Sequence, residues 1–219
     1  MVIKCRTLRI YVMPLARLFS SLMNMSILLM LLSACMLSKT DIGDGGFISE
    51  KPCGPPCFLG LTPGLSSEAE TRQVLEDEGI LDECQTYNNE LESGSRGIRC
   101  NLIINISFRK DQDRIEGIGF RPVEEITLKE VISTYGNPNG VLLMTGGTSQ
   151  EHPPRTVMLL YYDAIHARLT LPEQDGNIYH VEESTPILDV VYFESSVYQS
   201  LKNLPLQKWK NYGFYKRSE

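Results

Sequence analysis

Ile126-Thr-Leu-Lys-Glu-Val-Ile-Ser-Thr-Tyr-Gly-Asn-Pro138 sets the reading of the whole chain. Thr127 offers a side-chain oxygen for a helix N-cap, and Glu130 stands three residues on, where a capping box needs it. Ile126 and Val131 hold the two positions of a hydrophobic staple. Leu128, Val131, Ile132 and Tyr135 recur at i, i+3, i+4 and i+7, so they line one helical face. Gly136 can take the left-handed conformation after the last turn, and Pro138 prevents continuation. These signals agree on a short helix of about two turns whose apolar face must be buried.

An earlier stretch, Pro63-Gly-Leu-Ser-Ser-Glu-Ala-Glu-Thr-Arg-Gln-Val-Leu-Glu-Asp-Glu-Gly79, has the same design. Its cap is Ser66, with Leu65 as staple, or Ser67, with Glu70 completing a capping box. Gly79 ends it. Strand-like runs follow each helix. After the first come residues 80–87, 97–108 and 114–121; after the second come 141–145, 156–162, 165–171 and 187–193. Leu102, Ile104, Ile106 and Phe108 alternate with other residues, as do Ile165, Ala167, Leu169 and Leu171, which gives each run one apolar face. Lys110 to Asp113 form a polar turn between two strands, and Asp163-Ala164 is a tight connection without the usual glycine. The predicted fold class is α+β, with two helix-plus-antiparallel-strand units packed as one domain: residues 53–122 and 123–219. Residues 195–204 read as a last short helix cut by Pro205. The tail from Trp209 to Tyr215 is aromatic, and packing on the sheet is its expected role, with anchoring of a partner as the alternative.

The amino end carries a different message. Lys4, Arg6, Arg9 and Arg17 precede an apolar run, Ile27 to Leu32, and small residues then lead into Cys35. This order is that of a secretory signal. Leu32-Ser-Ala-Cys35 resembles the lipobox of bacterial lipoproteins, which implies cleavage after residue 34 and a diacylglycerol on Cys35. Each buried methylene contributes roughly 0.8 kcal/mol, so two or more acyl chains hold a protein durably on a membrane. An uncleaved signal anchor is the alternative, since no charge interrupts residues 18–38. Either reading puts the rest of the chain outside the cytoplasm, on the outer face of the cytoplasmic membrane or in a periplasm. Residues 35–52, with small polar residues and glycines, are expected to be a flexible tether to that membrane.

Composition narrows the options further. The processed chain of about 185 residues suits one domain. It would hold 17 of the 21 Lys+Arg against all 27 Asp+Glu, a net charge of −10. Such a surface repels phosphate backbones, so nucleic acid is excluded as a partner. Beyond Cys35, four cysteines remain: Cys53, Cys57, Cys84 and Cys100. An even number outside the cytoplasm suggests disulfides, and three connectivities are possible. Cys53–Cys57 and Cys84–Cys100 is the preferred set. The second pair closes a loop of about 17 residues, worth roughly 3 kcal/mol in the chain-entropy model. The alternative of redox or metal chemistry at Cys53 and Cys57 meets a spacing one residue longer than Cys-x-x-Cys and no completing ligands.

Thr127-x-x-Glu130-Val131, followed by Tyr135-Gly-Asn-Pro138 and strands, resembles the helix-loop-sheet unit of the small outer-membrane assembly lipoproteins (SmpA/OmlA, BamE-like). Gly64-Leu65-Ser66 is similar to the Gly-Met-Thr that opens that family's helix. Two such units in one chain are similar to the tandem arrangement of secreted beta-lactamase inhibitor proteins. The resemblance implies helices packed on an antiparallel sheet, and binding to other proteins rather than catalysis. Glu125 stands where the family has glycine, and the first half lacks the Gly-x-Pro stop.

Catalytic chemistry finds little purchase. His152 falls in a proline-rich loop, and His166 and His180 lie in or beside strands, pointing away from the apolar set. No pair has ligand spacing, there is no Gly-x-Ser-x-Gly, and Gly146 to Ser149 is too short for a phosphate loop. Paired acidic residues such as Glu124-Glu125 and Glu182-Glu183 read as solvated faces. No catalytic residue, cofactor or metal is expected. The function expected is that of a lipid-anchored, non-catalytic module that binds an unknown protein partner. The alternatives are an inhibitor of a secreted enzyme, acting through residues 145–154, or a hydrolase in which His166 or His180 shares a concave pocket with a carboxylate and a nucleophile.

Overall fold

The computed structural model describes residues 42–89, 95–101, 103–146 and 153–216. Cys35, the signal segment, Leu102 and His152 lie outside the described residues. Three α-helices occur among these: α1, Glu68–Asp77; α2, Leu128–Tyr135; and α3, Ser195–Leu201. None is long and apolar enough to cross a membrane. The strands are β1 (Cys84–Asn89), β2 (Ser95–Cys100), β3 (Ile104–Phe108), β4 (Ile115–Phe120), β5 (Gly140–Gly146), β6 (Arg155–Tyr162), β7 (Ala167–Thr170), β8 (Gln174–Asp175), β9 (Ile178–Val181), β10 (Asp189–Phe193) and β11 (Gly213–Lys216).

Nine of these strands make one sheet in the order β1-β2-β3-β4-β10-β7-β6-β5, with β8 beside β6. Every pairing is antiparallel. The first four strands run inward from one edge, β5, β6, β7 and β10 run inward from the other, and the two sets meet at β4–β10. Register places Ile98, Ile106, Ile118, Tyr192, Ala167 and Tyr162 in one cross-strand row on a single face. Cys100, Ile104, Phe120, Val190, Leu169, Leu160 and Val141 form the next row. These side chains are buried and constitute the main core. Each such aliphatic or aromatic residue gains roughly 1.5–3 kcal/mol from burial. This face is covered by α1 and α2, through Leu75, Leu128 and Val131.

The helices begin where their caps dictate. Ser67 and Glu70 form the capping box of α1, which settles the choice of cap; Leu65 is 71 % exposed and staples nothing. Thr127 and Glu130 form that of α2, with Ile126 and Val131 both buried beneath it. Gly136 follows at φ 77°, a value costly for any side-chain-bearing residue. Both predicted disulfides are formed, Cys53–Cys57 and Cys84–Cys100, the latter between directly opposed residues of β1 and β2.

Several expectations are corrected. The tether does not extend to residue 52, because the chain is packed from Ile42 onward. Phe47 is fully buried against Tyr135 and Tyr192, and a Cβ at Gly45 would strike the rings of Phe58 and Phe120 at 2.7–2.8 Å. Asp44 organises this segment by accepting hydrogen bonds from the amides of Gly46, Ile48 and Ser49 and from the Ser49 hydroxyl. Two apolar anchors, Phe47 and Ile48, outweigh the loop-like polar composition around them. The run 97–108 is two strands, not one, because Asn101 adopts φ 49° and turns the chain between β2 and β3. Residues 81–83 form a 3₁₀ turn before β1. The connection at Asp163 is a 3₁₀ turn in which His166, at φ 45°, takes the position expected of glycine. Strands β8, β9 and β11 were not anticipated. The aromatic tail does pack: β11 pairs with β9, Tyr215 is buried, and Trp209 stacks on Tyr215 at 5.6 Å.

Candidate protein-binding face

The sheet face opposite α1 and α2 divides sharply along its width. Over β5 and β6 it carries Leu142, Val157, Leu159 and Tyr161, and α3 lies on them through Tyr198 and Leu201. The Tyr198 hydroxyl donates to Asp163 at 3.0 Å, which also accepts from Lys202 Nζ at 2.8 Å. Burial, and then the nearby Asp163 carboxylate, push the Tyr198 phenol well above its ordinary range.

Over β1 to β4 the same face is polar and no described helix covers it, while Tyr198 of α3 reaches Phe193 on β10 and His166 beside β7. One row reads Gln85, Arg99, Asn105, Gly119, Val191, Arg168 from β1 to β7. The adjacent row reads Tyr87, Gly97, Ser107, Gly117, Phe193. The hydroxyl end of the Tyr87 ring lies over Gly97, where a Cβ would come within 2.4 Å of that hydroxyl and 2.3 Å of the Ile106 carbonyl oxygen. Burial pushes the Tyr87 phenol up, opposed by the charge of Arg99 and a hydrogen bond with Asn105. The Arg99 guanidinium sits 5.3 Å from the Tyr87 ring centroid, and that of Arg168 sits 5.6 Å from the Phe193 centroid. Each arginine is thus propped on an aromatic ring of the neighbouring row. Between them lies an open depression of about 280 Å³, lined by Arg99, Asn105, Gly119, Val191, Arg168 and Asp189 among others.

A second depression, about 290 Å³, holds His180, Glu182 and Ser184. His180 Nδ1 is 3.2 Å from Glu182 Oε1, and its ring stacks on Phe214 at 4.4 Å. The Ser184 hydroxyl donates to Glu182 at 3.4 Å rather than to the imidazole, so the nucleophile-to-base contact of a hydrolytic set is not made. His166 stacks on Tyr198 at 5.3 Å, away from that depression. Among the described residues no group of His, Cys, Asp and Glu has the arrangement of a metal site.

The sequence reading missed Arg99, Arg168, Tyr87 and Phe193. Their signal was present as polar and aromatic residues at the off-core positions of strands, but which rows they join depends on pairing register. Comparison with known proteins adds no constraint: no family model, curated protein or solved structure matches the chain.

Proposed function

We propose that this protein is an extracytoplasmic lipoprotein, anchored to the membrane through a lipid on Cys35, that acts as a non-catalytic protein-binding module. The single observation that carries the binding reading is the bare half of the second sheet face. It is a broad polar surface with ring-supported arginines, held rigid by the packed core beneath it. Surface arginine and tyrosine are the residue types most often found at the energetic centres of protein interfaces. The two disulfides support an oxidising compartment, in keeping with a secreted domain. The strand order, in which β1 to β4 follow α1 and β5, β6, β7 and β10 follow α2, both sets running toward a shared centre, supports descent from two similar helix-plus-strand units. That arrangement fits the tandem resemblance noted in the sequence.

Two experiments test the proposal. Intact mass of protein extracted from membranes is expected to show cleavage before Cys35, added acyl groups, and the loss of four hydrogens for two disulfides. A full-length cytosolic product with free thiols would overturn the anchoring. Affinity capture from crosslinked membranes is expected to recover a stoichiometric protein, lost when the bare face is altered by Arg99→Glu. Inhibition of a secreted enzyme is one form that such binding can take, and a panel of hydrolases left unaffected at micromolar protein removes it.

A further inference from the structure

Resting on that reading, we infer that the depression between Arg99 and Arg168 receives an acidic segment of the partner protein, with one guanidinium at each side of it to take the segment's carboxylates. Among the described residues Arg72, Arg96, Arg109, Arg121 and Arg155 each pair with a carboxylate. Arg99 and Arg168 have no carboxylate partner there: Arg99 rests on the Tyr87 ring, and Arg168 rests on the Phe193 ring and hydrogen-bonds the Tyr161 hydroxyl. The Arg168 Nε–H is also buried with no acceptor among the described residues. A half-buried guanidinium whose donors are only partly satisfied gains from an anion that its accessible N–H groups can reach.

The surroundings favour the same ligand. Asp189, the carboxylate that lines the depression, is engaged by Arg121 at 3.3 Å. Gly119 leaves the floor between the arginines open: a Cβ there would find only the Asn105 carbonyl oxygen and a Val191 methyl, both at 3.6 Å. Arginine's planar fork matches a carboxylate with two parallel hydrogen bonds. The chain as a whole carries a net charge of −6, so two arginines without a carboxylate partner among the described residues, over one depression, reverse the local sign. The same overall negative charge disfavours a phospholipid headgroup, since an anionic membrane surface repels the rest of the domain.

The test uses full-length protein in neutral detergent and fluorescence anisotropy with a labelled Glu-Thr repeat peptide. Binding is expected to exceed that of a Lys-Thr repeat at least tenfold and to fall steeply with salt. Arg99→Gln and Arg168→Gln are each expected to weaken it about tenfold, and Gly119→Leu to weaken it by filling the floor. All three variants are expected to keep the parent's thermal midpoint, and binding is compared only in those that do. Equal binding of the two peptides, or unchanged binding in both arginine variants, overturns the inference. Displacement of the peptide by glycerol phosphate at lower concentration than by glutarate reassigns the depression to phosphate and equally overturns it. A membrane partner captured as well by the Arg99→Gln and Arg168→Gln proteins as by the parent would leave the binding-module reading standing and remove the acidic-segment inference alone.

Discussion

Strands β3 and β6 sit in the same sheet and share a covered face, yet they treat the opposite face in contrary ways. Strand β3, Ile104-Asn-Ile-Ser-Phe108, alternates strictly: Ile104, Ile106 and Phe108 are buried, while Asn105 is exposed and Ser107 half-buried. Strand β6 instead runs Val157-Met-Leu-Leu-Tyr-Tyr162 without a polar residue, and both of its faces are packed. An alternating strand belongs to a sheet with one face in water, and a continuous apolar run to a strand covered twice. Helix α3 supplies the second cover for β6, and nothing described supplies it for β3. The difference teaches where to look for function. Among the described residues no helix covers β3 on that face, and the same face carries Arg99 and Arg168, which pair with no described carboxylate.

The contrast can be broken most directly at its covered end. Tyr198→Ala removes a buried ring from between α3 and the Leu159–Tyr161 surface. It is expected to cost about 3–4 kcal/mol in urea unfolding; a loss below about 1 kcal/mol would mean that α3 is not needed to cover that half. No described helix covers the bare half, and its edge strands are braced covalently. Replacing Cys84 and Cys100 together with serine is expected to cost roughly 3 kcal/mol, read as a lowered urea midpoint, and to raise amide exchange most in β1 and β2.

Two glycines on the bare face sharpen the comparison further. Gly97→Ala forces a methyl group against the Tyr87 ring and the Ile106 carbonyl and is expected to cost about 2 kcal/mol. Gly119→Ala meets only ordinary contacts and is expected to stay within ~0.5 kcal/mol of the parent. Comparable losses from both would contradict the geometry of the two rows.

The smallest effect concerns the core face beneath the bare half, where the Asp44 segment packs on Phe58 and Phe120. Burial raises the Asp44 pKa, but hydrogen bonds from Ser49, Gly46 and Ile48 outweigh it and hold the carboxyl below its ordinary value of 3.8. A depressed native pKa means that the ionised form is favoured by folding. The stability it contributes is complete above about pH 4 and is lost as the pH falls through the depressed value. Asp44→Asn is expected to flatten that part of the acid-unfolding curve and to lower stability modestly at neutral pH. An unchanged acid limb would count against the role given to Asp44.

Much of this structure was legible residue by residue. Both capping boxes involve partners three positions apart, so Thr127 with Glu130 and Ser67 with Glu70 declare themselves locally. The two cysteine pairings were narrowed by count and loop length. The aromatic tail was readable as a packing element from its composition, although its strand partner was not. The tether was misjudged because a loop rich in glycine and polar residues looks mobile unless a buried anchor fixes it, and Phe47 gave no periodic signal to betray its burial. The break at Asn101 was hidden because the alternation of apolar residues continues through the turn.

Local order was therefore written into the chain itself: where helices start, which strand positions face an apolar core, and that an apolar, uncharged stretch ending at Cys35 precedes the folded part. Those features rest on interactions between residues a few positions apart, or on a periodicity that any single segment displays. The tertiary structure alone decided which strands meet. Arg99 and Arg168 lie 69 positions apart in the chain and share one depression only because β2, β3, β4, β10 and β7 pair in that order and register. Non-local pairing is set by the burial of the whole core at once, so no window of sequence contains it.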